Sequence, residues 1–237
     1  MAKIISFGGG VNSVAMTIML YKRGEIYPLV FADTMAEHPE TYCYMDYFER
    51  EFLSKYGQKI VRLNPFNTPE LYRPRARNIS LEDFCLNNFV TPMFANRFCT
   101  QEFKINPLKK YKSEMLIAFA SDESHRAKDT KGKNYPLIEL NITRKGCIEI
   151  IQSEGLSIPR KSGCFFCCFQ RLGQWEELYK NYPDLYERAS NLEKNTYTLL
   201  RNDGKSLEIL RERFEAKGGD LFPDFDYEEL TPCMCIT

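Results

Sequence analysis

The sequence predicts an α/β protein, a mostly parallel sheet wrapped by helices, followed by a helical part that carries cysteines. Three observations lead there. In the N-terminal half, short runs of β-branched and apolar residues alternate with stretches of helical periodicity. A glycine triplet, Gly8-Gly9-Gly10, falls where the first such run gives way to the first helix. From Thr143 onward the periodicity is helical only, and Cys164, Cys167 and Cys168 cluster in the loop that interrupts it. Strands separated by helices need right-handed crossovers, which makes the sheet parallel and puts ligands at the carboxyl ends of its strands.

Lys3-Ile4-Ile5-Ser6-Phe7 reads as a buried strand. Val11, Val14, Ala15, Ile18 and Met19 then recur at helical spacing, and Gly24 supplies the stop. Tyr27 to Ala32 is the second strand, leading through Asp33-Thr34 into a helix from Pro39 to Tyr56. Lys59 to Leu63 is the third strand, Glu114 to Ala120 the fourth, and Leu137 to Leu140 a fifth or an edge piece. Residues 64–98 show little periodicity and carry Arg73, Arg75, Arg77 and Arg97, which predicts a functional loop region rather than core. A helix from Thr143 to Glu154, a loop to Gln170, and helices near Trp175 to Lys180, Pro183 to Leu200 and Lys205 to Ala216 follow. In the third of these four helices, Leu185, Ala189, Leu192 and Leu199 form one apolar stripe. The expected division is an α/β domain over residues 1–142 and a helical region over 143–237 packed on it.

The 237 residues carry 32 basic and 32 acidic side chains and 43% hydrophobic residues, which excludes a disordered polyelectrolyte and a wholesale basic nucleic-acid coat. The balance conceals a dipole: residues 104–133 hold eight bases against four acids, and residues 205–230 eight acids against four bases. No stretch approaches the ~20 apolar residues of a membrane span, and the opening apolar run breaks too early for a signal peptide. The expected compartment is a reducing cytoplasm, where nine cysteines speak for a metal site or redox work rather than a disulfide framework.

Glycines between a strand and a helix leave backbone N–H groups unobstructed, and the helix N-terminus adds partial positive charge, so the segment Gly8 to Ser13 suits a phosphate chain. A plain strand-to-helix turn explains the same residues. The Gly-Lys-Ser/Thr of a P-loop is absent, as is the spacing of the dinucleotide fingerprint. Asp33, at the end of the second strand, is a metal or ribose contact or a turn aspartate. Glu123-Ser124-His125-Arg126 follows the fourth strand; Arg126 suits bidentate pairing with phosphate or sulfate, and with Arg97 would frame an anion pocket. Cys164-x-x-Cys167 supplies two thiolates to one metal, and a closed site needs two further ligands. A redox pair is another reading. Cys43, Cys85 and Cys147 lie on apolar segments and are expected to be structural.

Ser6-Phe7-Gly8-Gly9-Gly10-Val11-Asn12-Ser13 resembles the pyrophosphate-binding PP-loop, Ser-Gly-Gly-x-Asp-Ser, of the adenine nucleotide alpha-hydrolase superfamily, with Gly8 in place of its first Ser and Asn12 in place of its Asp. Further blocks look like successive parts of the phosphoadenosine-phosphosulfate reductase-like family. They are Phe31-Ala32-Asp33-Thr34 with Glu40-Thr41, Arg97-Phe98-Cys99-Thr100 with Phe103-Lys104 and Pro107, Ser121 to Arg126, and Pro136-Leu137-Ile138 leading through Pro159 to Ser162-Gly163-Cys164-Phe165-Phe166-Cys167. The resemblance spans most of residues 3–175. It implies a five-stranded parallel sheet with helices on both faces, binding ATP or phosphoadenosine phosphosulfate over the strand ends. Ser6, Gly8, Gly9, Gly10, Asn12 and Ser13 would hold the polyphosphate, Asp33 a magnesium ion or ribose, and Arg97, Glu123, Ser124 and Arg126 the anionic group.

The two further ligands beside Cys164 and Cys167 are assigned to Cys99, which lies in a matching block, and to Cys235, which the tail could fold back over the site, with Cys233 and Cys168 as substitutes. Four thiolates suit a 4Fe-4S cluster, which the resemblance favours, or zinc. The expected function is adenine-nucleotide-dependent sulfur chemistry, by a reductase or by an ATP pyrophosphatase that forms an adenylated intermediate. The reductase's C-terminal Glu-Cys-Gly-Leu-His signature is absent, so Cys235 in the tail would stand in for its nucleophile. The partners would be an adenine nucleotide and an electron or sulfur donor protein; no RNA-binding appendage supports a nucleic-acid acceptor. A non-catalytic nucleotide sensor or zinc-stabilised binding module is the alternative from another class.

Overall fold

The computed structural model describes residues 3–216 except 113, 129, 197 and 202. Five parallel strands form one sheet in the order β3-β2-β1-β4-β5: β1 Ile4–Ser6, β2 Leu29–Ala32, β3 Ile60–Leu63, β4 Met115–Ile117 and β5 Lys133–Asn134. The helices are α1 Val11–Lys22, α2 Pro39–Glu51, α3 Leu81–Asn88, α4 Phe98–Thr100, α5 Asn106–Tyr111, α6 Pro136–Glu139, α7 Arg144–Ser153, α8 Leu172–Asn181, α9 Pro183–Lys194 and α10 Leu207–Ala216. A π-turn over Gln101–Ile105 joins α4 to α5.

Strand alternation sorts the sheet residues onto two faces. Ile5, Leu29, Phe31, Ile60 and Leu116 pack with α1, α2 and α7 on one side. Ile4, Val30, Ala32, Leu63, Met115 and Ile117 pack with Leu108 of α5 on the other. Every residue of α1 from Val11 to Tyr21 is buried, because the helix is held between the sheet and α7. The sheet grows outward from β1 through β2 to β3, then restarts on the other side of β1 with β4. That reversal opens a crevice at the carboxyl ends of β1 and β4. A second core gathers Tyr72, Phe84, Phe103, Phe166, Trp175 and Tyr186 with α3, α8, α9 and α10.

Four sequence expectations are corrected. Residues 137–140 are not a strand: Pro136 fixes φ and lacks an N–H, which suits the first turn of α6, and the fifth strand is Lys133–Asn134. Residues 64–98 are not merely loop. They contain two short 3₁₀ turns opened by Pro69 and Pro74, then α3, N-capped by the Ser80 hydroxyl, and they bury Tyr72, Ala76, Leu81, Phe84 and Cys85. Cys43 is exposed on the outer side of α2, whereas Cys85 and Cys147 are buried. Finally, α9 ends at Lys194, so Leu199 falls outside its apolar stripe and is exposed.

Candidate functional site

The loop after β1 shapes the crevice. Gly9 adopts φ +72°, a conformation that L side chains rarely take, and a Cβ there would meet Thr41 Cγ2 at 3.2 Å. Gly10 lies against Ser162, whose Oγ would be 3.0 Å from an added Cβ. Ser6, Gly8, Gly10, Asn12 and Ser13 line the resulting cavity, joined by Glu123, Arg126, Arg144 and Ser162. Asn12 Nδ2 donates to Glu123 Oε2 at 2.6 Å, and Glu123 Oε1 takes the Arg126 guanidinium. Arg126 is also stacked over the Phe119 ring at 4.5 Å. Arg144 Nη1 reaches Asn12 Oδ1 at 3.3 Å.

A buried polar cluster lies below the end of β2. Asp33 Oδ1 accepts from Tyr42 Oη at 2.7 Å and from the Met35 N–H at 2.8 Å, an Asx-type turn that carries Met35 into positive φ. Burial pushes the Asp33 carboxyl above its ordinary range, against the lowering effect of those two bonds. Glu37 and Lys104 form a buried ion pair at 2.7 Å. Glu37 Oε1 also accepts from Thr34 Oγ1 at 3.2 Å, while Glu37 Oε2 is buried with no hydrogen-bond partner among the described residues.

Backbone pairing brings the cysteine motif to this cluster. The His38 N–H donates to Gly163 O at 2.9 Å, the Phe165 N–H donates to Ala36 O at 3.0 Å, and Glu37 and Cys164 form an antiparallel bridge. Cys164 Sγ then sits 3.3 Å from Thr34 Oγ1 and 3.8 Å from Glu37 Oε1. Successive turns, Cys167 N–H to Cys164 O and Gln170 N–H to Cys167 O, fold the rest of the motif. Cys99, Cys164, Cys167 and Cys168 line one cavity with Thr34 and Lys104. Burial raises the Cys99 thiol's pKa and the Lys104 charge opposes that rise. Among the described residues, no three His, Cys, Asp or Glu side chains are gathered closely enough to hold a metal ion by themselves. A third cavity, lined by His38, Glu40, Arg160, Ser162, Cys164 and Cys167, adjoins both others through Ser162 and the two cysteines.

The expected site residues thus divide. The loop residues Ser6, Gly8, Gly10, Asn12 and Ser13 meet Glu123 and Arg126; Asp33 belongs to the cluster below β2, Ser124 and His125 are exposed, and Arg97 lies over the Phe169 ring at 5.9 Å, beside the cysteine cavity. Cys99, Cys164 and Cys167 share a cavity, and Cys235 and Cys233 lie outside the described residues. Arg73 and Arg75, both exposed, pair with the buried Glu102 at 3.0 and 2.6 Å. Arg144, Glu37 and Lys104 had not been expected in a site role. For Arg144 the sequence does carry a signal: two cations, Arg144 and Lys145, open a helix whose first turn has no acid, against the helix dipole.

With this geometry in place, the relatives are informative. The family model described as the phosphoadenosine phosphosulfate reductase domain matches residues 2–129, more than half of the chain. The chain belongs to this family. Its five-stranded parallel sheet is the family's adenine nucleotide alpha-hydrolase-like fold. An uncharacterised nin-region protein of Escherichia phage lambda is 30% identical across 70% of this chain and 66% of its own length. An uncharacterised protein of Methanocaldococcus jannaschii is 23% identical, over 80% of this chain and 41% of its own length. The chain therefore spans about two thirds of the phage relative and less than half of the archaeal one. A crystal structure of phosphoadenylyl-sulfate reductase from Candida auris, in a phosphate complex, aligns with a TM-score of 0.48 at 15% identity over 67% of this chain and 75% of that one. No helix among the described residues is long and apolar enough to cross a membrane.

Proposed function

We propose that this protein binds an adenine nucleotide, ATP or phosphoadenosine phosphosulfate, by its anionic groups in the glycine-loop cavity and carries out sulfur chemistry with the thiols beside it. The observation that carries this reading is the segment Ser162-Gly163-Cys164. Ser162 packs on Gly10 at the phosphate loop, and Cys164, two residues on, lines the cysteine cavity. In this reading the sheet region holds the nucleotide and the helical region supplies the thiols. Cys235 is the proposed reacting thiol, and Arg97 and Lys104 bring positive charge to the cysteine side. Burial raises the Cys99 thiol's pKa, which speaks against Cys99 as a free nucleophile at neutral pH.

Thiols spread around an apolar-walled cavity suit a thiolate-bound 4Fe-4S cluster, whose ligands stand wider apart than those of a single zinc ion. Cys99, Cys164 and Cys167 would hold it with one further thiolate, and a bound cluster would supply electron-transfer or structural capacity. The test is purification under anaerobic conditions, metal analysis, and incubation with labelled ATP or phosphoadenosine phosphosulfate and a dithiol. Sulfite release, or AMP with pyrophosphate, is expected, and Cys235→Ser should abolish sulfite release while leaving nucleotide bound. Failure to bind either nucleotide would overturn the reading. Zinc in place of iron would replace the cluster and leave the nucleotide site standing.

A further inference from the structure

We infer that Arg144 is an anion-binding residue of the glycine-loop cavity, and that Arg126 and Arg144 supply there the positive charge that a magnesium ion would otherwise bring. The inference rests on the nucleotide reading and concerns how the bound anion is neutralised. Arg144 opens α7. Its own N–H donates to the Asp122 carboxylate at 3.2 and 3.3 Å, and the Thr143 hydroxyl caps the Gly146 N–H. The helix end is therefore satisfied without the guanidinium, which lines the cavity instead. There Nη1 donates to Asn12 Oδ1, while Nε is buried with no partner among the described residues. A buried N–H of this kind is costly to leave unmade, and a cation at a helix N-terminus opposes the dipole, so helix stability does not explain the placement. An oxyanion beside the guanidinium would accept from Nε and the adjacent Nη in the fork geometry that arginine offers phosphate and sulfate.

The donor set does not suit magnesium. That ion takes oxygen ligands in near-octahedral geometry, usually with one or two carboxylates. The one carboxylate lining the cavity, Glu123, is engaged by Arg126 on one oxygen and by Asn12 on the other. Asp33 is not among the lining residues, and its Oδ1 is held by Tyr42 and Met35. Asn12 has both ends of its amide engaged, between a carboxylate and a guanidinium. An aspartate at that position would pair with Arg144 and repel Glu123; the neutral amide orients both and leaves the arginine charge for a ligand. Glu123, Arg126 and Arg144 are the charged residues lining the cavity, so it carries one net positive charge.

Calorimetric titration of the full chain with inorganic pyrophosphate, with ATP and with phosphoadenosine phosphosulfate, each in excess EDTA and in excess magnesium, tests this. Wild-type affinity is expected to be the same within about twofold in the two buffers, and Arg144→Gln to weaken it by about tenfold or more. Arg144→Lys, which keeps the charge but not the fork, should fall between them, and its unchanged thermal midpoint guards against misfolding. Equal affinity of wild type and a folded Arg144→Gln, or binding only with magnesium, would overturn the inference and leave the nucleotide reading intact. Binding of pyrophosphate but of no nucleotide, with the same loss in Arg144→Gln, would keep the arginine site and overturn the nucleotide reading. Binding of none of the three ligands would overturn both.

Discussion

The sheet region and the helical region hide their apolar side chains in different ways. In the sheet region aliphatic residues alternate along strands and pack on α1, α2 and α7, so burial follows local periodicity. In the helical region aromatic rings arrive from segments far apart in the chain and meet mostly edge to face. Trp175 lies at 86° to Tyr186, Tyr186 at 66° to Phe214, and Phe84 at 80° to Phe103. A core gathered from distant segments holds only if each segment is pinned, and here the pins are the backbone pairing of Ala36–His38 with Gly163–Phe165 and the buried Glu37–Lys104 pair. The cysteine cavity is built on this second kind of core and the glycine-loop cavity on the first. The two regions should therefore respond differently to mutation.

The largest effect should come from Trp175→Ala. The side chain is fully buried, and its loss is expected to cost about 3–5 kcal/mol in denaturant unfolding. Because Trp175 is the single tryptophan, wild-type tryptophan fluorescence reports on the helical region alone. Its transition should coincide with that seen by far-ultraviolet circular dichroism; separate transitions would show that the two cores fold independently.

An intermediate effect is expected for Gly9→Ala. Its positive φ should cost about 1–2 kcal/mol and the loop should bind pyrophosphate more weakly. The tryptophan emission maximum of the native state should stay put. A shift would mean that the loop and the second core are coupled more tightly than their packing indicates.

The smallest effect concerns Asp33→Asn. Burial holds the Asp33 carboxyl above its unfolded value, so its contribution to stability is full below about pH 4 and is lost as pH rises through the folded-state value. The variant should be modestly more stable than wild type at pH 7, with the margin closing toward pH 4 in thermal melts. A variant less stable at pH 7 would show that the bonds from Tyr42 and Met35 to the charged carboxylate outweigh its desolvation.

How much was legible follows the same division. β1 to β4 and α1 announce themselves because neighbouring residues carry the alternation or helical repeat that burial demands. β5 does not: Lys133 and Asn134 have no apolar pattern, and their pairing depends on β4, where the Met115 N–H reaches Gly132 O at 2.8 Å. Residues 64–98 read as loop because their two 3₁₀ turns bury at most one side chain each, and because α3, which does place Leu81, Phe84 and Cys85 at helical spacing, is only eight residues long. Cys43 sits on an amphipathic helix, and its composition did not reveal that its side of the helix faces water.

By itself the sequence determined the strand, glycine turn and helix at the N-terminus, the parallel architecture, the family, and the grouping of Cys164, Cys167 and Cys168, since each is written in residues close together in the chain. Only the tertiary structure decided that Cys99 joins them in one cavity, that Glu37 pairs with Lys104 beside Cys164, that Arg73 and Arg75 turn to Glu102, and that Arg144 enters the glycine-loop cavity. The physical reason is the range of the interactions. Periodicity records the burial of neighbours, whereas the role of a charge or a thiol depends on the partner that long-range packing brings to it.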